Sequence, residues 1–422
     1  MAGRFIIKGG KPLNGDISVW GSKNSATKLI AACLLTAETC YIENVPKIAD
    51  VLTMIKILEE LGAEVKWTSE RSLEITAANI DPSKLNKELV GHLRSSIVLL
   101  GPLFARFGEV KSTYPGGDRI GARPITTHLN VFRAFGAEIT EESDGITIKK
   151  VKEPGNTKIV LRELSVTATE NALMAASGNL EETKIHIAAA EPSVQDLISF
   201  LRSMGVQISG EGTHTLVVRG KKDLGGGRLK VSPDYLDAAT FVIAAVATKG
   251  NVRIYDAQPE HLLLVFEKLK EMGANISIEN EVIEIHPTSA PLRALNIQAM
   301  VYPGIPTDLQ SIFGVLATQN IGTTLIHDPL FEGRFRYIEE LNRMGANAFV
   351  IDPHRALING PTALIGVPIN SLDIRSGAAL VIAGLVANGE TLINDTYQVD
   401  RGYERMDERL KSLGADIERI NE

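Results

Sequence analysis

A chain of 422 residues with 44% apolar residues exceeds what one hydrophobic core organises, so two domains are expected. A net charge of −7 without a concentrated basic run argues against a nucleic-acid or anionic-membrane partner, and no run of about 18 apolar residues marks a membrane span. Two cysteines, Cys33 and Cys40, fit neither a disulfide framework nor metal-ligand spacing, and the first residues lack the apolar core of a signal peptide. A soluble, cytoplasmic protein in a reducing compartment is the expectation.

Taken in order, the chain repeats one phrase six times: ILEELGAEV, VFRAFGAEI, FLRSMGVQI, KLKEMGANI, ELNRMGANA and RLKSLGADI. Their glycines, Gly62, Gly136, Gly205, Gly273, Gly345 and Gly414, recur about 70 residues apart, the mark of an internal repeat. Each phrase predicts the end of an amphipathic helix, a glycine in the left-handed C′ position and a short strand. Upstream of each lies a helix of small apolar residues, from LIAACLL in the first unit to ALVIAGLVA in the last. Helices apolar all round belong in a domain's centre.

The unit therefore reads strand, helix, strand, helix, strand, with three units per domain. The glycine-rich turn 225–227 separates the third unit from the fourth, and it lacks the G-x-x-x-x-G-K-[ST] frame of a phosphate loop. Residues 23–231 are expected to form a first domain carrying a mobile loop, 113–124. Residues 1–22 and 232–422 form the second, with the two chain ends paired inside it and a ligand cleft between pseudo-symmetric halves.

Several charged residues stand at unit boundaries instead of on helix faces. Gly21-Ser22-Lys23-Asn24 precedes the first small-residue helix, where free N–H groups and the helix dipole attract anions and Lys23 adds a full charge. A snorkelling surface lysine fits the same position. Residues 115–124, PGGDRIGARP, predict a loop whose glycines let backbone approach a ligand and whose Arg123 offers a fork for phosphate or carboxylate. An ordinary surface turn with solvated charges fits it too. Arg94, Asp308, Asp373 and Arg375 stand before the small-residue helices of units two, five and six, and Arg334 and Arg401 before outer helices. The eight histidines form no metal-binding pair, and His128, just past the glycine loop, fits core packing as well as a site. No nucleophile elbow or Cys-His pairing is readable.

Read jointly, GSKNSA, NVPKIADV, LRSSIVLLGPLFARFG, PGGDRIGARP, SVTATEN, EPSVQDL, PTDLQ, FEGRF and DRGYER resemble the enolpyruvyl transferase family, end to end. Within it, the chain resembles the branch that acts on UDP-N-acetylglucosamine at the start of peptidoglycan synthesis; the shikimate branch lacks the PGG loop. The resemblance implies a two-domain inverse α/β barrel that moves the enolpyruvyl group of phosphoenolpyruvate to the sugar 3′-hydroxyl, releases phosphate, and needs no metal or other cofactor. By motif, Lys23, Arg123 and Arg401 would hold phosphoenolpyruvate with support from Arg94 and Arg334. Asn24, Leu330 and, at the 3′-hydroxyl, Asp308 would contact the UDP-sugar, with His128, Ser165 and Val166 along its uridine side and Arg94 and Arg123 also within its reach. Asp308 would act as general base, Asp373 beside Arg375 would assist proton movement, and Asp118 and Lys23 would complete the catalytic set.

Five positions depart from the family pattern. Asp118 replaces a cysteine, which implies resistance to fosfomycin, an alkylator of that cysteine. Thr126 stands for an aspartate, Thr167 for a glycine, Ala49 for a lysine and Gln398 for a histidine. Thr126 and Thr167 fall where uridine and sugar are read, so transfer to a different uridine nucleotide or nucleoside stands as the alternative. Retention of Lys23, Arg123, Asp308 and Arg401 favours an enzyme over a sensor of nucleotide sugars. Oligomeric state is not legible.

Overall fold

The computed structural model describes residues 3–118 and 120–421; Arg119 of the predicted loop lies outside them. The chain divides into two compact units. Unit 1 comprises Met1–Trp20, Asp118–Ala122 and Pro233–Glu422, and unit 2 comprises Gly21–Gly117 and Arg123–Ser232.

Unit 2 holds three small sheets. In one, Arg228–Lys230 runs parallel to Thr39–Glu43, which is antiparallel to Ser72–Thr76, itself antiparallel to Glu64–Ser69. In the second, Thr157–Val160 is parallel to Glu182–His186, beside the hairpin Gln207–Ser209 and Thr215–Arg219. The third has only Glu109–Ser112, Gly145–Lys150 and Ala137–Glu142, all antiparallel. Among the described residues, unit 1 holds three four-stranded sheets. The first strand of the chain, Arg4–Lys8, lies between Glu390–Asn394 and the last strand, Asp416–Ile420, so the expected pairing of the chain ends occurs.

A parallel strand pair needs a crossover, and a helix of small apolar residues supplies it. Helix Val166–Ala176 joins Thr157–Val160 to Glu182–His186, and helix Ile374–Val386 joins Pro368–Asn370 to Glu390–Asn394. Every residue of helix Tyr235–Ala247 is buried. Small side chains make this possible because they let neighbouring backbones close in: a Cβ on Gly101 would stand 2.8 Å from Asn171 Oδ1. Each buried Leu or Ile on these helices contributes roughly 1.5–3 kcal/mol, so the core is built from many modest contributions around each helix.

The outer helices end as the repeated phrase predicts. All six glycines have positive φ, between 78° at Gly136 and 107° at Gly62. Beyond the glycine the structure differs from the expected single strand. A two-stranded hairpin stands there in each of the first five units, as in Asn275–Glu279 with Val282–His286. In that hairpin the turn is Asn280-Glu281, with φ of 50° and 65°. Both residues are left-handed, as a tight hairpin requires, yet no glycine announces the turn.

Candidate active site

In unit 2, Lys23 opens helix Lys23–Ala32, whose Ser22 cap accepts the Ser25 N–H at 3.4 Å. Lys23 Nζ stands 3.4 Å from Asp50 Oδ2, in the first turn of helix Ala49–Leu61. Asn24 is the next residue of the first helix. Arg94 opens a short 3-10 helix, Arg94–Leu99, and its guanidinium donates to the Arg123 carbonyl at 2.6 Å. Burial, together with the nearby Arg123 charge, pushes Arg94 down to about 10.

The described residues of the loop 113–124 take neither helix nor strand. Its glycine pair serves a purpose the sequence did not announce. A Cβ on Gly116 would fall on the Gly91 carbonyl, and one on Gly117, at φ +97°, would stand 2.6 Å from Arg94 Cβ. The glycines seat the loop against the segment that carries Arg94, so their freedom is spent on the chain itself.

His128 lies on helix Thr126–Ala134 and is 2% exposed. Asn171 fixes its tautomer: Oδ1 accepts the Gly101 N–H at 2.8 Å, so Nδ2 donates, to Ile97 O at 2.9 Å and to His128 Nδ1 at 2.9 Å. The ring proton therefore sits on Nε2 and faces Thr167 Oγ1 at 3.2 Å. Burial holds His128 down to about 3, and Arg94 adds to the effect, so the imidazole is neutral. Ser165 caps helix Val166–Ala176 by accepting the Ala168 N–H at 3.4 Å, and Val166 is its first residue.

In unit 1, Asp308 lies in the 3-10 turn Thr307–Leu309 ahead of helix Gln310–Ala317. Its Oδ1 accepts from Arg334 at 2.6 Å and its Oδ2 from Arg375 Nε at 3.1 Å. Arg375 lies over the Tyr403 ring at 5.2 Å, and Arg334 over Phe331 at 5.4 Å. Asp373 caps helix Ile374–Val386: Oδ1 accepts the N–H groups of Arg375 and Ser376 at 2.9 and 3.0 Å, and Oδ2 the Ser376 hydroxyl at 2.6 Å. Arg401 donates to Asp118 and, at 3.2 Å, to Gln398 Oε1. Leu330 is 39% exposed on a turn held by Asp328, whose Oδ1 accepts the Leu330 N–H at 3.0 Å.

Sequence reasoning passed over several residues of these clusters. Glu332 Oε1 accepts the Ala122 N–H at 2.6 Å, and the Gly333 N–H donates to Ile120 O at 2.9 Å. Lys28 is buried 3.8 Å from the buried Glu170. Asp50 lies within NVPKIADV, a motif noted for its resemblance without assigning that residue a role. A lysine among the apolar residues of the first helix was the available signal for Lys28.

Residues 7–410 match the family model described as EPSP synthase (3-phosphoshikimate 1-carboxyvinyltransferase). The chain is 41% identical over 419 residues to a UDP-N-acetylglucosamine 1-carboxyvinyltransferase of Coxiella burnetii, covering 99% of this chain and 96% of the relative. It is 43% identical over 420 residues to the protein of that name from Methylacidiphilum infernorum, covering 99% of each. Among solved structures, the enolpyruvyl transferase NikO from Streptomyces tendae superposes with a TM-score of 0.89 at 25% identity over 99% of both chains. An EPSP synthase from Acinetobacter baumannii shares the fold at a TM-score of 0.74 and 21% identity over the whole of both chains.

Proposed function

Because the chain belongs to the EPSP synthase family of enolpyruvyl transferases, we propose that it transfers the enolpyruvyl group of phosphoenolpyruvate to the 3′-hydroxyl of UDP-N-acetylglucosamine and releases phosphate, the first committed step of peptidoglycan synthesis in the cytoplasm. The observation that carries this reading is identity of 40–43% along 99% of the chain to relatives bearing that name. The six sheets and their buried helices support reading the fold as an inverse α/β barrel of six repeats; residues 23–231, carrying the mobile loop 113–124, and residues 1–22 plus 232–422 are taken as its two domains, although residues 118–122 group with the second of these.

In this mechanism Lys23, Arg123 and Arg401 bind the phosphate and carboxylate of phosphoenolpyruvate, and Arg94 and Arg334 support them. Such preorganised cations act most strongly where water is excluded. Asp308 takes the 3′-hydroxyl proton as the oxygen attacks, a role for which a carboxylate held in one orientation by Arg334 and Arg375 is suited. The cap geometry of Asp373 supports a positioning role for it, through the helix start that carries Arg375. Asn24, Ser165, Val166, His128 and Leu330 read the UDP-sugar, His128 as a neutral donor or support through Nε2. Asp118, the partner of Arg401, stands as proton donor in place of the family's cysteine: it passes a proton taken from solvent to C3 of phosphoenolpyruvate as the sugar oxygen adds to C2, and loss of a C3 proton with phosphate then restores the enol ether.

The test is phosphate release from phosphoenolpyruvate with and without UDP-N-acetylglucosamine. No acceptor-dependent release at any concentration refutes the reading. The Thr167–His128 hydrogen bond favours a second reading, transfer to a different uridine nucleotide or nucleoside, since it adds a side chain beside the groups proposed to read uridine. A panel of UMP, UDP-sugars and shikimate 3-phosphate separates the two.

A further inference from the structure

Lys28 lies on the same helix as Lys23, five residues on, with its side chain 4% exposed. Its ammonium stands 3.8 Å from Oε2 of Glu170, which is fully buried on helix Val166–Ala176. Ser193 donates to Glu170 Oε1 at 3.0 Å, whereas Oε2 has no hydrogen-bond partner among the described residues. As a stabilising device this pair is poor. Desolvating both charges offsets their attraction, and apolar side chains of similar volume commonly do as well or better. A structural purpose alone does not explain it.

Its surroundings supply another. Lys28 is faced electrostatically by Glu170, Lys23, Asp50 and Arg123. Glu170 is faced by Lys28, the Ser193 hydroxyl and Glu191. Lys28 thus shares its helix with Lys23 and lies within electrostatic reach of both Lys23 and Arg123, two of the cations assigned above to the anion site. We propose that Lys28 and Glu170 form a charge-compensating, positioning tier of that site, which takes up part of a proton from solvent at neutral pH when a polyanion docks against Lys23 and Arg123. The proposal rests on the reading of those two residues as anion ligands.

The physical logic is linkage. Charged lysine with ionised glutamate, or neutral lysine with protonated glutamate, leaves the pair neutral. A docked polyanion favours the third state, charged lysine with protonated glutamate, so binding draws in a proton. Burial pushes Lys28 down and raises Glu170 to about 7, and two such groups titrate as a unit. His128 at about 3 and Arg94 at about 10 do not change charge near neutrality. Uptake on binding requires that affinity fall as pH rises through the titration of the pair.

Sulfate is the probe, because it does not titrate near neutrality. Calorimetric titration of the intact protein at pH 7, in buffers of different ionisation enthalpy, reads protons taken up per sulfate bound. The expected result is an uptake of up to about half a proton for the wild type. Lys28→Met should remove the uptake and weaken sulfate roughly tenfold through loss of a buried cation, whereas Glu170→Gln leaves a buried lysine that can itself take the proton, so the double variant is the control that should show none. Zero uptake by the wild type, a measurement that needs no variant, overturns the proposal, as does unchanged uptake in the folded double variant. Sulfate binding that survives both Lys23→Ala and Arg123→Ala instead overturns the anion-site reading, which separates the two failures.

Discussion

His128 offers a test in which direction and size both follow from geometry. Its Nδ1 accepts from Asn171 and its Nε2 hydrogen faces Thr167, so protonation would set an N–H on Nδ1 against another N–H donor, inside the core and near Arg94. The folded value of about 3 lies below the ordinary 6.5, and the unfolded chain therefore binds the proton first. Stability from this group is fully present above pH 6.5 and is lost as pH falls toward 3. At pH 5, 1.5 units below the unfolded value, the loss is about 2 kcal/mol. His128→Gln keeps a donor and an acceptor without a titrating group. Urea denaturation of wild type and variant at pH 7, 6 and 5 should show the wild type losing about 2 kcal/mol more than the variant. Parallel losses in the two proteins would refute a buried neutral His128.

Three other substitutions probe the proposed chemistry. Asp308→Asn should lower kcat by roughly 10²–10⁴ and also lower Tm, since Arg334 and Arg375 lose a shared carboxylate; phosphate-release kinetics within tenfold of wild type would remove Asp308 from the base role. Gly117→Ala places a methyl 2.6 Å from Arg94 Cβ at φ +97°, costing roughly 1–2 kcal/mol locally, so KM for phosphoenolpyruvate should rise; an unchanged KM would mean that the loop seat does not position Arg94. Asp118→Cys replaces the carboxylate that pairs with Arg401 by a thiol and should convert fosfomycin from inert to an irreversible inactivator, measured as time-dependent loss of activity. Continued resistance would show that position 118 is not where the reagent reacts.

The helical frame was legible because it rests on local chemistry. Six LGA-type phrases each need one left-handed residue, and glycine supplies it visibly; six runs without charge have nowhere to lie except inside. The hairpins were less legible. Asn280-Glu281 adopts the left-handed turn without glycine because the flanking strands, paired from Asn275 to His286, impose it. The same division separates the candidate site residues. Lys23, Arg94 and Asp308 stand out because a charged residue at the start of an apolar helix is a local anomaly. Asp50, Glu170 and Glu332 do not, because their meaning lies in partners brought near by packing: Lys23, Lys28 and the Ala122 N–H. The glycine pair at 116–117 shows the limit in the other direction. Its backbone freedom was readable, but whether a ligand or Gly91–Arg94 would occupy the space was not.

The six buried helices start differently in the two units. In unit 2 they are capped by Ser22 and Ser165 or, before Arg94, by no side chain, and no acid lies in their first turns. In unit 1 they carry acids: Asp234 and Asp373 as caps and Asp308 in the first turn of its 3-10 entry. A serine cap satisfies an N–H while leaving the positive end of the helix dipole exposed to an anion, whereas an aspartate cap cancels it. The helix starts of unit 2 thereby favour an anion more than those of unit 1, where Asp308 holds Arg334 and Arg375. Ser165→Asp separates capping from charge, since aspartate caps at least as well but brings a full negative charge to the start of Val166–Ala176. Tm should hold or rise slightly. KM for the UDP-sugar should rise about tenfold, the effect of one charge at close range in a partly solvated site. A Tm unchanged together with an unchanged KM would mean that the polarity of this helix start plays no part in recognising the anionic acceptor.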